Sequence, residues 1–257
     1  MKRITLCADD FGQNEEISRG ILDLAMQNRL NAISCMTRCP EFQTHSDALH
    51  SLPPGIELGL HFTLTPGWPG LPRLFLDLIT HRLTKQSIKD ELSAQLERFH
   101  TTIGRLPDFI DGHQHIHHFP IVRETLLETY LENYPQKSSW IRVSAPKMTS
   151  LKSIIINLTG AQTLQNLLDQ EKIPHNTTFS GVYPFKQASN YQHWFQKFLA
   201  ESEEGGMIMC HPGRASRDTT DPLRSSRELE LEYFNSTAFL NDCQNARCSL
   251  PKAHKEI

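Results

Sequence analysis

Several signatures are missing from these 257 residues. No segment approaches the ~18 consecutive apolar residues of a membrane-spanning helix. The chain also reaches Asp9-Asp10 before a secretory apolar core of ~7–15 residues could form. A cytoplasmic protein without a membrane span is expected. The formal net charge is -3, so the basic footprint of a nucleic-acid binder is lacking too. The six cysteines form no CxxC pair, which argues against a thiolate zinc site; they read as buried, reduced, small apolar side chains. Neither a GxSxG elbow nor a Cys-His signature is present, so no serine or cysteine nucleophile is expected. Internal repeats and low-complexity stretches are absent as well, which removes arrays and disordered tracts from consideration.

What remains is ordinary for a globular protein: 38% hydrophobic and 21% charged residues, in a length that one sizeable core can accommodate. A single domain over residues 1–257 is expected. The run Arg3 to Ala8 alternates polar and apolar side chains as a strand does, and Asn14 is placed to cap a helix with Ile17, Ile21, Leu22 and Ala25 on one face. Strands are predicted at Ile33 to Cys39, Ile56 to Leu64, Phe109 to His115, Trp140 to Ser144, around Val182, and at Gly206 to Cys210. Helices are predicted at Phe42 to Leu52, Ile88 to Ile103 with Gly104 as terminator, Pro120 to Tyr134, Leu151 to Lys172, Tyr191 to Glu203, and from Glu228 to Phe239. Pro66 to Pro72 reads as a loop, and the tail after Asn241 is weakly patterned. Repeated strand-loop-helix order implies an α/β fold with a parallel sheet, and a barrel is the expected closure.

The chemistry concentrates at strand ends. Asp9-Asp10, His61, the run His113, His115, His117, and His211 each follow a predicted strand. In a β/α barrel these ends converge on one face, where sites are built. A single strand histidine is more often a hydrogen-bonded core residue, and an Asp pair can simply precede a helix; the shared placement of all four segments favours a site. Two imidazoles and one carboxylate make a three-ligand set with open positions, which suits a divalent ion that also binds water and substrate. The adjacent aspartates allow one to ligate and the other to act as base. In an extended chain His113, His115 and His117 would face one side, and spacing does not choose among them.

Four segments carry a family resemblance: Ala8-Asp9-Asp10-Phe11-Gly12, Gly59-Leu60-His61-Phe62, Asp111-Gly112-His113-Gln114-His115-Ile116-His117, and Cys210-His211-Pro212. In order and spacing they resemble the YdjC-like carbohydrate deacetylases, a family with chito-oligosaccharide and hopanoid-biosynthesis branches. The resemblance implies a distorted β/α barrel related to the polysaccharide deacetylases, often dimeric, with one divalent ion usually assigned as magnesium. It further implies Asp10, His61 and His113 as metal ligands, Asp9 as general base and His211 as general acid. His115, His117 and Arg142 are carried over as substrate contacts. The expected substrate is an N-acetylated amino sugar, whether oligosaccharide or glycolipid. Chemically, the two imidazoles also suit zinc or another transition metal.

Three other readings share parts of this pattern. Two histidines and a carboxylate also form the facial triad of non-haem iron oxygenases, which predicts mostly β architecture. A metal-dependent phosphoester hydrolase on a barrel keeps the same strand ends and releases phosphate instead of acetate. A non-catalytic sugar-binding or metal-storage protein needs no base beside its ligands.

Overall fold

A computed structural model describes residues 1–64, 77, 80, 83–145 and 159–251. The expected loop Pro66 to Pro72 and the first part of the expected helix Leu151 to Lys172 lie outside the described residues. So does the end of the tail. Along the chain come β1 (Lys2–Phe11), α1 (Glu15–Met26), β2 (Ala32–Cys35), α2 (Pro40–Thr44), α3 (Ser46–His50), β3 (Glu57–Phe62) and α4 (Lys85–Ile103). Then follow β4 (Phe109–Gly112), α5 (Pro120–Asn133), β5 (Trp140–Ile141), α6 (Ala161–Glu171), β6 (Phe179–Ser180), α7 (Tyr191–Glu201), β7 (Gly206–Cys210), α8 (Arg224–Asn235), α9 (Thr237–Asn245) and β8 (Cys248–Ser249). No described helix is long and apolar enough to cross a membrane.

The strands pair in parallel in the order β5-β4-β3-β2-β1-β7-β6, with β8 added at the start of β1. Helical crossovers between parallel strands explain the alternation read from the sequence. The expected barrel is a curled sheet with a seam. Across that seam Ile141 N–H donates to the Pro174 carbonyl at 2.9 Å, and Ile141 forms an isolated bridge with His175. The Asn176 side chain then stands in for a ladder: its Oδ1 accepts from Val143 N–H at 2.8 Å and its Nδ2 donates to Val143 O at 2.9 Å.

Two apolar shells pack the outside of the sheet. One gathers α1, α7, α8 and α9 around β1 and β7; the other gathers α4, α5 and α6 around β3 and β4. Capping follows the sequence signals. Asn14 Oδ1 accepts from Ile17 N–H at 2.9 Å, and Gly104 ends α4 with φ 80°. The expected helix Phe42 to Leu52 is instead two short helices, and Ser236 caps a second helix where one continuous helical region was expected.

The inside of the sheet explains where the site begins. A strand alternates its side chains, so residues two apart face the same side. Cys7, Ala32, Phe109, Phe179, Met207 and Met209 form a buried apolar cluster there. Gly59 belongs to the same layer: a Cβ at this position would come within 2.3 Å of the Phe109 ring, so the first residue of Gly59-Leu60-His61-Phe62 has to be glycine for that ring to fit. Two residues further along the strands, Cys7 gives way to Asp9, Ala32 to Ser34, Gly59 to His61, Phe109 to Asp111 and Trp140 to Arg142. The apolar floor thus becomes a polar layer at the C-terminal ends.

Candidate metal centre

β1 brings two neighbouring carboxylates into one site through a local irregularity. Its register with β2 shifts between Ala8 and Phe11, and Asp10 adopts φ 69°. A left-handed residue is costly for anything but Gly, with Asp and Asn best tolerated, and here it lets consecutive side chains share a cavity. β4 stops at Gly112, short of the expected His115, and residues His113–His118 form a tight 3-10 segment in which Gln114 and His115 have φ 53° and 60°. The histidines at 113, 115 and 117 therefore diverge instead of facing one side. A side chain at Gly112 would collide with Ile116 and His117, which accounts for the small residue before His113.

Asp10, His61 and His113 come together. Asp10 Oδ1 lies 3.0 Å from His113 Nδ1 and 3.4 Å from His61 Nε2, and the two ring nitrogens are 3.3 Å apart. Ligand bonds of ~2.0–2.2 Å at tetrahedral or octahedral angles place neighbouring donor atoms ~3.0–3.5 Å apart, so this triangle fits a single divalent ion. Charge agrees with geometry. Among the described residues, the buried carboxylates Asp9, Asp10, Asp111 and Asp221 face two buried guanidinium groups, Arg142 and Arg227; with His61 neutral, as a ligand must be, this leaves a deficit that a divalent cation balances.

Two of the three candidate ligands, His61 and Asp10, are held from behind. His61 Nδ1 is 2.6 Å from Asp111 Oδ1, which also accepts from Ser34 Oγ at 2.7 Å. This leaves Nε2 facing Asp10 and His113, the arrangement by which a carboxylate orients a ligating imidazole. Arg227 Nη2 donates to Asp10 Oδ2 at 2.8 Å, while its Nε bonds Asp221 Oδ2 at 2.7 Å. Asp10 is thereby turned so that Oδ1 faces the histidines. Burial alone would push Asp10 up, but Arg227 and hydrogen bonds from His113 and His61 hold it well below the usual carboxylate range. Burial would likewise lower His61, yet Asp111 and Asp10 push it up to about 10. Loading an ion must therefore displace the proton from its Nε2.

Asp9, Asp10, His61, His113, His115 and His211 line one cavity of 430 Å³, within the ~300–1,000 Å³ of small-molecule sites. Val182, Phe185, Met209 and Leu223 give it an apolar wall. The other two expected contacts lie behind this surface. Arg142 is fully buried and clamps Asp9 with two 2.6 Å hydrogen bonds while also approaching Asp111 Oδ2 at 2.5 Å. His117 is equally buried; its Nε2 lies 3.0 Å from the Arg142 carbonyl, and burial lowers it to about 4. Neither lines the cavity: both Arg142 Nη atoms and His117 Nε2 meet protein groups, whereas the buried Arg142 Nε and His117 Nδ1 have no hydrogen-bond partner among the described residues.

Residues 3–245 match the family model described as YdjC-like protein. The chain belongs to the YdjC-like family. Among its relatives, a chitooligosaccharide deacetylase of Yersinia enterocolitica is 24% identical over 255 residues, covering 92% of each chain. Among solved structures, a proposed cellobiose-phosphate cleavage protein of Enterococcus faecalis superposes with TM-score 0.71 at 19% identity, covering 98% of this chain and 97% of that one. A family 4 carbohydrate esterase of Streptomyces lividans, in complex with acetate, gives TM-score 0.52 at 8% identity over 97% and 91%. At such identities these structures show the fold. Contacts behind the candidate site of this YdjC-like chain come from residues that sequence reasoning did not single out: Ser34 and Asp111 behind His61, Arg227 behind Asp10, and Glu230, whose carboxyl meets the His211 backbone. Ser34 and Asp111 could have been found from the period-two switch to polar residues at the strand ends. Arg227 and Glu230 sit on a helix with no strand-end signal.

Proposed function

We propose that the protein is a metal-dependent carbohydrate deacetylase that hydrolyses an N-acetyl group from an amino sugar. The observation that carries this reading is the shared cavity: a three-residue ligand set, a carboxylate fixed by Arg142 and a strand-end histidine all line it. Family membership and the names of the relatives support the same chemistry.

An amide needs its carbonyl polarised, its attacking water deprotonated and its leaving nitrogen protonated. Asp10, His61 and His113 would hold the ion, which when bound supplies Lewis acidity and stabilises developing negative charge. Asp9 receives the proton of the attacking water; Arg142 keeps its carboxylate in one orientation. As the C–N bond breaks, His211 gives a proton to the departing amine and the electron pair stays on nitrogen. His115 meets the substrate at the cavity wall, next to the left-handed Gln114. The apolar wall at Val182 and Phe185 excludes water from the reacting groups.

Two imidazole nitrogens favour zinc or another transition ion, whereas the family resemblance implies magnesium; metal analysis of protein purified without added metal decides this point. The function is tested with N-acetylglucosamine, N,N′-diacetylchitobiose, a phosphorylated N-acetylated disaccharide and an N-acetylated glycolipid. Stoichiometric acetate and free amine from at least one supports the reading. Phosphate release from the phosphorylated sugar without acetate would replace it with phosphoester hydrolysis.

A further inference from the structure

Parallel pairing of β7 with β1 ends at Ala8↔Cys210, just where β1 turns into its irregular Asp9-Asp10 corner. The next backbone N–H, that of His211, donates to Glu230 Oε2 at 2.6 Å. Glu230 comes from α8, is completely buried, and accepts from Tyr183 OH through its other oxygen at 2.5 Å. The Tyr183 ring meets Phe185 edge-on, with centroids 4.7 Å apart at 65°, and Phe185 in turn meets the His211 imidazole at 5.6 Å and 84°. The contacts close a circuit: His211 backbone, Glu230, Tyr183, Phe185, His211 ring. One turn earlier on α8, Arg227 holds Asp10. The same helix thus braces both the ligand corner of β1 and the residue that follows β7.

We infer that Glu230 is the positioning residue for His211, fixing its backbone directly and its imidazole through Tyr183 and Phe185. The inference rests on the reading of His211 as proton donor. Above about pH 7, where Glu230 is ionised, a carboxylate is suited to this place because both oxygens accept, and the two groups it meets are both donors. Removing it leaves a buried N–H and a buried hydroxyl without that acceptor, and the strand end is no longer tied. A purely packing role for Glu230 would affect stability but would act independently of His211.

A double-mutant cycle separates these roles. Wild type, Glu230→Ala, His211→Ala and the double variant are compared on the N-acetylated sugar turned over fastest in the panel above. Metal affinity and the His211 amide proton resonance are measured alongside. A general acid contributes ~10²–10⁴ in rate, and misplacing it should forfeit part of that: Glu230→Ala is expected to lower kcat by ~10- to ~100-fold, with KM and metal affinity near wild type. In the His211→Ala background the same change should cost almost nothing, and the His211 amide proton should move upfield once its carboxylate acceptor is gone. Glu230→Gln, which keeps one acceptor oxygen, should restore part of the rate. It also supplies the cycle if Glu230→Ala does not fold. An equal cost of the Glu230 change with and without His211, or a loss confined to KM or to metal affinity, overturns the inference. Full amide turnover by His211→Ala alone defeats the proton-donor reading and the positioning role with it.

Discussion

Asp111 gives the sharpest test of how the ligand set is held. In Asp111→Asn the side chain keeps its shape, and its oxygen can still face His61 Nδ1, now 2.6 Å from a carboxylate. Its amide nitrogen must then face Arg142, a donor opposed to a donor where the native contact is an ion pair. The charge that makes His61 a strong ligand is gone. Loss of such an outer partner typically costs 10- to 100-fold in metal affinity, about 1.4 to 2.7 kcal/mol. The fold should survive, because Arg142 retains its two hydrogen bonds to Asp9 and is not left as an unpaired buried charge. Competition with a chromophoric chelator measures the affinity, and circular dichroism reports folding. The expected order is wild type, then Asp111→Asn weaker by ~10- to ~100-fold, then His61→Ala with no measurable site. A folded Asp111→Asn protein that binds as tightly as wild type would refute the bracing role.

Three further outcomes follow from the geometry. Asp9→Asn should keep the metal and lose most turnover, while Asp10→Asn should lose the metal; metal analysis and acetate release would show the reverse pattern if base and ligand were exchanged. His115→Ala should retain more metal than His113→Ala, since His113 alone of the two stands beside Asp10 and His61, and equal loss would count against that choice. Burial pushes Glu230 from 4.5 up to about 7. The folded protein therefore keeps a proton that the unfolded chain has released, so this stability is present below about pH 4.5 and is lost as pH rises through about 7. That displacement corresponds to about 3 kcal/mol. The urea midpoint of wild type should fall more between pH 5 and 8 than that of Glu230→Gln, and parallel curves would contradict it.

Much of this architecture is legible in the chain, for identifiable reasons. Long elements carry enough periods to be read: α1 with its Asn14 cap, α4 with Gly104, and β7 ending before His211 match their signals closely. β5, β6 and β8 are two residues each, too short to show alternation, so their extents were not readable. The strand-end placement of Asp10, His61, His113 and His211 was readable because parallel strands deliver their C-terminal ends to one face. The divergence of the histidine run was not, because it depends on left-handed Gln114 and His115, residues with no glycine to announce the turn. Arg142 illustrates the limit most clearly. Its strand position was visible, but its engagement by Asp9 depends on pairing across 133 positions of chain.

The central claim joins metal and amide hydrolysis in one site, and one titration tests both. Protein stripped with chelator is reloaded with increasing amounts of a divalent ion, and acetate release from N,N′-diacetylchitobiose and the other panel sugars is followed at each step. Activity should be absent in the stripped protein, rise in proportion to bound ion and saturate at one ion per chain, with His61→Ala inactive throughout. Full acetate release by stripped protein, or no acetate from any N-acetylated sugar at saturation, would contradict the account.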